Sequence, residues 1–339
     1  MTQSATSPAF EALVDEIGAG SPDADQYARL SAVQLSVPAA RELAGLNPFT
    51  PAYRERAEAL YHALRGSAGD YQPLRDEASL TGLPEQLWTG LVPWAFGDAG
   101  AVSEHLIAWG MTMRHLGIPP GGSVLEYGAG TGQQLLMLAR MGYRAHAVDI
   151  DAVALAAIDR QAQGMGLEVR TQQGGFGEGF EGERFDAILF YEAFHHALDF
   201  DALLIALHDR LTPGGRIVLV GEPVVDRRDA GVPYPWGPRL DGLSVWCIRR
   251  YGWMELGFRR DFFVAVARAA GWKVHAFAGD RARTATWVLE PAGPPPSREA
   301  LAERGAAAWG RSALARRLDA GRHRAAAIAG GVQRRLGRL

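Results

Sequence analysis

Val124-Leu125-Glu126-Tyr127-Gly128-Ala129-Gly130-Thr131-Gly132 is the stretch that decides the fold. Val124–Tyr127 reads as a short apolar strand, and Gln133–Met141 reads as a helix. A glycine loop between strand and helix suits a nucleotide. Glycines permit positive φ and a close approach of backbone to ligand, and the helix offers free N–H groups at its start. Arg144–Asp149 is the next strand. It places Asp149 about 20 residues on, where an acid can accept from two ribose hydroxyls. Asp149 would otherwise cap the helix from Ala152, but Asp151 is better placed to do so.

The loop also discriminates between ligands. A dinucleotide loop of the G-x-G-x-x-G or A kind needs a small residue where Gln133 stands. The Glu126 carboxylate lies two residues before Gly128. It would repel a pyrophosphate and attract an ammonium group. The inferred cofactor carries a ribose, a positive end and no phosphate, which fits S-adenosylmethionine. A nicotinamide-dependent oxidoreductase is the alternative that Gln133 and Glu126 disfavour. A catalytically silent binding module would carry the same loop.

Working outward, strands and helices alternate from about Gly121 to Pro291. Ala152–Gln163 and Ala202–Leu211 read as helices. Leu167–Thr171, Phe185–Tyr191 and Arg216–Val220 read as strands. The alternation predicts an α/β, Rossmann-like parallel sheet with helices on both faces. Gly221 to about Arg259 interrupts it with Gly, Pro, Trp and Tyr. Arg260–Ala270 resumes as a helix, and Trp272–Phe277 with Thr284–Glu290 read as an antiparallel pair at the sheet edge. The first part, residues 1–120, reads as helical. Phe10, Leu13, Val14 and Ile17 share one helical face, as do Tyr53, Ala57, Leu60, Tyr61 and Leu64. Ala101–Leu116 is a third helix. Beyond the linker signal Gly293-Pro294-Pro295-Pro296, residues 292–339 form a tail with ten arginines against Glu299, Glu303 and Asp319. It reads as a basic helix with a solvated face. The sharper reading is a docking arm for an acidic partner or a membrane surface.

These features resemble the class I methyltransferase family over Gly121–Pro291. The resemblance implies a seven-stranded sheet and S-adenosylmethionine as cofactor. It implies that Gly128, Gly130 and Gly132 line the methionine and ribose end, with Glu126, Tyr127, Ala129 and Gln133 around them. Asp149 would be the ribose acid, with Ile150 beside the adenine. Phe185–Leu189 resembles the family's fourth strand and Leu211–Arg216 its turn into the fifth. One departure stands out. The acid that commonly meets the adenine amino group is replaced by Gln173-Gly174-Gly175-Phe176. Either Gln173 or a backbone group such as that of Gly175 serves instead, or Phe176 covers the adenine face. Leading helices in this family often cover the cofactor, which draws attention to His105 and Trp109.

Tyr191-Glu192-Ala193-Phe194-His195-His196 follows the fourth strand, and ligands of open parallel sheets lie outside the carboxyl ends of the strands. An alcohol acceptor must lose a proton, and histidine or a carboxylate is the usual agent. His195 or His196 is the expected base, His195 preferred. In an extended backbone the two neighbours could not both face one site. The pair would equally serve to pack the turn. Glu222 and Glu192 are next in line, and Tyr191 is placed near the cofactor. His195, His196, Asp199 and Asp201 match no defined metal spacing, so no metal is expected.

The insertion, about 221–259, is the expected acceptor pocket. Tyr234, Trp236, Arg239, Asp241, Trp246, Arg249, Arg250, Tyr251 and Trp253 suit a polar molecule with C–H faces, or a packed lid. The segments Tyr234–Gly242, Trp253–Phe258 and Asn47–Arg54 are similar to methyltransferases of bacterial polysaccharide clusters. That similarity implies a small saccharide acceptor methylated on a hydroxyl; a natural product is the alternative.

Composition bounds the rest. With 47% hydrophobic and 22% charged residues the chain is globular, and a net charge of -3 gives no general pull toward nucleic acid. No Asn/Asp-Pro-Pro-aromatic signature follows the fourth strand, which argues against a DNA base methyltransferase. Cys247 is the only cysteine, so an internal disulfide and a cysteine-based zinc site are excluded. Met1–Phe10 lacks the pattern of a secretory signal, and no apolar run reaches membrane-span length. The cytoplasm is the expected location, and an oligomer is compatible with the sequence.

Overall fold

The computed structural model describes residues 7–18, 20, 22–43, 45–77, 98–226, 229–279 and 281–310. Six helices come first: α1 (Pro8–Ile17), α2 (Ala24–Ala32), α3 (Pro38–Leu43), α4 (Pro51–Arg65), α5 (Pro73–Asp76) and α6 (Ala99–His115). Their starts follow from local chemistry. Ser7, Asp23, Thr50 and Asp98 accept the free backbone N–H groups of α1, α2, α4 and α6, and Pro stands at the first turn of α1 and α4.

The alternation then runs β1 (Ser123–Tyr127), α7 (Gln133–Arg140), β2 (Arg144–Asp149), α8 (Ala152–Met165), β3 (Val169–Gln173), β4 (Phe185–Tyr191), α9 (Phe200–Ala206) and β5 (Leu211–Val220). After the insertion come α11 (Arg260–Ala269), β9 (Trp272–Phe277) and β10 (Thr286–Pro291). The seven-stranded sheet has the order β3-β2-β1-β4-β5-β10-β9. The first five strands are parallel; β10 pairs antiparallel with both β5 and β9. The α/β, Rossmann-like class and the antiparallel edge pair are as the sequence predicts. The expected turn at Pro213-Gly214-Gly215 sits inside β5, where the register with β4 shifts between Phe185 and Ala187.

Both faces of the sheet are apolar, in strict alternation. Leu125, Tyr127, Ile188, Phe190, Ile217 and Leu219 belong to one core. Val124, Ala147, Ala187, Leu189, Val218 and Val220 belong to the other, with α7 and α8. Ala108 of α6 is buried in this second core.

The insertion is more ordered than its composition suggests. It holds β6 (Val224–Val225), β7 (Trp236–Pro238), α10 (Gly242–Tyr251) and β8 (Leu256–Arg259), with a three-stranded sheet in the order β6-β8-β7. The overlooked helix has standard ends: Asp241 accepts from Ser244 N, and Gly252 closes it in a left-handed conformation. The leading helices build directly on this insertion. The Tyr53 hydroxyl donates to Trp236 O at 2.6 Å, Trp236 Nε1 to Pro48 O at 3.0 Å, and Gly242 N to Val33 O at 2.8 Å. Arg249 pairs with Glu11 at 2.9 Å. Two segments far apart in sequence thus share one core, where the sequence suggested a separate helical region and a loop.

The tail begins by packing rather than trailing. Residues 298–310 are helical, Leu301 is buried, Arg298 pairs with Asp199 at 2.9 Å, and the Trp309 ring lies 5.9 Å from that of Phe262. The expected linker therefore leads into a docked helix. Residues 311–339, with most of the tail's arginines, lie outside the described residues. Among the described residues no helix is long and apolar enough to cross a membrane.

Candidate active site

The glycine loop has the backbone its composition requires. Gly128, Gly130 and Gly132 all have positive φ, at 67°, 51° and 72°. Two of them also need to lack a side chain. A Cβ on Gly128 would stand 2.7 Å from Ala193 Cβ, and one on Gly132 would stand 2.6 Å from the Ile158 side chain on α8. The loop is tied to the next strand, because Gly130 N donates to Asp149 Oδ2 at 2.8 Å. Asp149 Oδ1 accepts from Asp151 N at 2.8 Å, and Asp151 itself caps α8. Asp149 is therefore not the cap and keeps lone pairs for a ligand. Burial pushes its pKa up, while the two backbone donors pull it back.

Glu126 points into the second core and is almost fully buried. Its Oε1 accepts weakly from Gln134 Nε2 at 3.5 Å, and its Oε2 has no partner among the described residues. Burial, with Asp149 nearby, pushes it up to about 8. A buried acid with an unsatisfied oxygen needs a donor, preferably a charged one. The ammonium group of S-adenosylmethionine fits that need.

Other expected contacts are narrowed. The Tyr127 ring stacks on Phe190 with its hydroxyl donating to Glu178 O, so Tyr127 offers a ligand only backbone. Gln133 Nε2 donates to Gln161 Oε1 at 2.8 Å and braces the loop against α8. The Gly175 N–H is taken by Glu178 Oε2. Phe176 packs edge-on against Tyr127 and Phe190, under Gly128, so it floors the loop. Gln173 donates to the Ile150 carbonyl at 2.9 Å and so stays beside the expected adenine position. Ala129 is half-buried within the loop.

At the end of β4, Glu192 adopts φ 49°, an uncommon conformation for a non-glycine residue and one often found where function demands it. Its Oε1 accepts from Arg283 Nε at 2.9 Å. The chain then turns as a 3-10 helix, Phe194–His196. The backbone there is not extended, so His195 and His196 lie side by side with ring centroids 4.3 Å apart. Glu222, just past β5, holds this turn. Its Oε1 accepts from Ala193 N at 3.0 Å and Phe194 N at 2.9 Å, and its Oε2 from His195 N at 3.0 Å and His195 Nδ1 at 2.8 Å. Glu222 is thus committed to the turn and is not a spare base. Because Nδ1 donates to it, His195 Nε2 is left with a lone pair. Burial drives His195 down to about 3 and His196 well below its usual value, so both rings are uncharged near neutrality. The His196 Nδ1 atom is buried without a partner among the described residues.

Glu255 completes the cluster and was not singled out from the sequence. Its Oε2 lies 3.6 Å from His195 Nε2, and burial pushes it up to about 8. The only signal was an acid inside the apolar run Met254-Glu255-Leu256. Behind it Arg239 stands 3.9 Å from Glu255 and pairs with Asp241 at 2.9 Å. Asp199 and Asp201 are elsewhere, paired with Arg54 and Arg298.

The leading helices reach the site. His105 hydrogen-bonds the Tyr191 hydroxyl, and the Trp109 ring stands 6.5 Å from that of Tyr191. Thr112, three residues on, donates to Gln134 Oε1 at 3.2 Å, which leads to Glu126. Trp109 Nε1 is buried and unpartnered among the described residues. Burial pushes His105 down to about 4. Beyond Arg239 and Asp241, a cavity of about 260 Å³ is lined also by Tyr27, Ser31, Gln34 and Asp229. Of the aromatic residues expected to line a pocket, Tyr234 and Trp236 are wholly buried in the core. Trp253 stands beside His196, with centroids 5.8 Å apart.

Residues 125–219 match the family described as Methyltransferase domain. The ribosomal RNA small subunit methyltransferase C of Chromohalobacter salexigens is 36% identical over 125 residues, 35% of this chain and 35% of that protein. A protein-L-isoaspartate O-methyltransferase of Methylorubrum populi is 35% identical over 133 residues, 39% of this chain and 59% of that protein. The chain thus spans between about a third and three fifths of the curated relatives it matches. Among solved structures, a SAM-dependent methyltransferase from Aquifex aeolicus aligns with TM-score 0.41 and 15% identity, over 55% of this chain and 90% of that one. The chain therefore carries a Rossmann-like methyltransferase domain, and S-adenosylmethionine is that domain's cofactor.

Proposed function

We propose that the whole chain is an S-adenosylmethionine-dependent methyltransferase that acts on a hydroxyl of a small polar acceptor, a sugar or glycan precursor. The carrying observation is a juxtaposition at the ends of neighbouring strands β1 and β4. A buried acid with an unsatisfied oxygen, Glu126, suits the cofactor's ammonium group once it gives up its proton, and two uncharged imidazoles, His195 and His196, suit an acceptor oxygen. The sulfonium methyl is already activated, so the protein's main task is to hold donor and acceptor in line. Gly128, Gly130 and Asp149 hold the ribose and methionine end in this reading, with Gln173 replacing the missing acid at the adenine.

The acceptor class rests on the cavity. Its volume of about 260 Å³ is just below the ~300 Å³ where pockets for drug-sized ligands begin, which suits one ring. Its carboxylates, amide, hydroxyls and guanidinium match hydroxyl groups that both donate and accept. Among the described residues lining it, Asp229 and Asp241 outnumber Arg239, which favours an uncharged polar acceptor.

Transfer of labelled methyl from S-adenosylmethionine into a host extract, fractionated by polarity, tests the reading. Label in nucleotide sugars or glycans is the expected result. Label in an apolar small-molecule fraction would retain methyl transfer and move the acceptor to a natural product. Protection of the protein by NADH and not by S-adenosylhomocysteine would overturn the class.

A further inference from the structure

The geometry points to a divalent transition-metal site formed by His195, His196 and Glu255, with an open position for an acceptor oxygen. It rests on the proposed methyl transfer only for the identity of that oxygen. One nitrogen of each ring and one Glu255 oxygen lie within 4.8 Å of one another, and His195 Nε2 is already 3.6 Å from Glu255 Oε2. The His195 imidazole is prepared as a ligand. A metal-bound histidine commonly donates its other ring N–H to a carboxylate or carbonyl, which fixes tautomer and orientation. Glu222 does this for His195. Among the described residues, His196 Nδ1 is a buried polar atom with no partner, which is costly unless something occupies the site.

Charge supports the same occupant. Among the described residues, His195 is flanked by the carboxyl groups of Glu222 and Glu255, while Arg239 is paired with Asp241 and Arg283 with Glu192. Arg239 stands 3.9 Å from Glu255, and its charge is already met by Asp241 at 2.9 Å. Buried negative charge must be neutralised by protons or by a cation. Two imidazoles and one carboxylate form the set that holds zinc with an open fourth position. Imidazole favours zinc, iron and their neighbours over magnesium. Closure to the ~3.4 Å ligand spacing of a tetrahedron with bonds of about 2.1 Å requires the Glu255 and His196 side chains to draw inward.

Untagged full-length protein, stripped by a chelator, is titrated calorimetrically with Zn²⁺ and with Co²⁺, whose visible absorption reports nitrogen ligation. The expected result is one ion per chain, with Kd raised at least about tenfold by Glu255→Gln and by His196→Ala while S-adenosylhomocysteine still binds. Should His196→Ala fail to fold, the near-isosteric Glu255→Gln decides. Absence of a stoichiometric ion from wild type, or equal affinity in wild type and Glu255→Gln, overturns the site. S-adenosylhomocysteine binding is read separately, and its absence from wild type would strike the proposed methyl transfer instead.

Discussion

Asp149 and Glu126 face the same ligand with different remaining capacities. Asp149 has spent one lone pair of each oxygen on backbone donors. Its replacement by alanine removes charge-assisted hydrogen bonds worth about 1.5–3 kcal/mol each. Asp149→Ala should therefore weaken S-adenosylhomocysteine binding at least about tenfold by calorimetry, with little change in the circular dichroism of the fold. Unchanged affinity would place the ribose elsewhere. Glu126 makes the cofactor's affinity depend on pH. It faces Gln134 from α7, Asp149 from β2 and Tyr191 from β4, none of which is a cation. The free protein therefore holds a proton there up to about pH 8. An ammonium ligand requires the carboxylate and expels that proton. Affinity should rise with pH by up to about tenfold per unit and level off above the Glu126 pKa. In Glu126→Gln the slope should vanish; a slope that survives would assign the dependence to another group.

Two elements carry the rest of the site. The 3-10 turn after β4 is a backbone structure held by one side chain, Glu222. Glu222→Ala strands three N–H groups and a ring nitrogen, and each unsatisfied buried donor costs about 1–3 kcal/mol. It should lower thermal stability markedly, whereas His195→Ala should lower turnover by about 10²-fold or more at nearly unchanged cofactor affinity. The reverse pattern would exchange the two roles. Helix α6 supplies the other wall. Its His105, Trp109 and Thr112 lie on one face and meet Tyr191 and Gln134. Trp109→Phe keeps the ring and removes an unpartnered N–H. If that N–H meets the cofactor, affinity should fall by about 0.5–1.5 kcal/mol without loss of stability. An unaltered Kd would leave Trp109 as packing alone.

At the scale of the molecule, the leading helices and the insertion stand or fall together. Phe10, Tyr53, Tyr61 and Leu64 are buried in the same core as Trp236, Val245 and Phe258. A fragment beginning at Gly121 would expose that apolar surface to water. It should aggregate or lack cooperative melting, although it contains the whole methyltransferase match. A soluble fragment with a sharp transition would show that the leading helices are dispensable.

The sequence by itself determined what depends on local rules. The glycine spacing before α7, the alternation of strands and helices, and Asp149 at a strand end all express backbone and periodicity constraints within a few residues of one another. The glycine loop, its positive-φ backbone and the strand-end position of Asp149 were legible for that reason. His195, His196 and Glu222 were legible as candidates at strand ends, but Glu255 and the meeting of the four were not, because they come from three segments brought together by the sheet order and by the small sheet of the insertion. The same applies to α6 and to α10, whose faces acquire meaning only against their partners. Tertiary packing also decided which side chains were already spent: Tyr127, Gln133 and Glu222 carry suitable groups, but buried polar atoms must find partners, and theirs were found inside the protein.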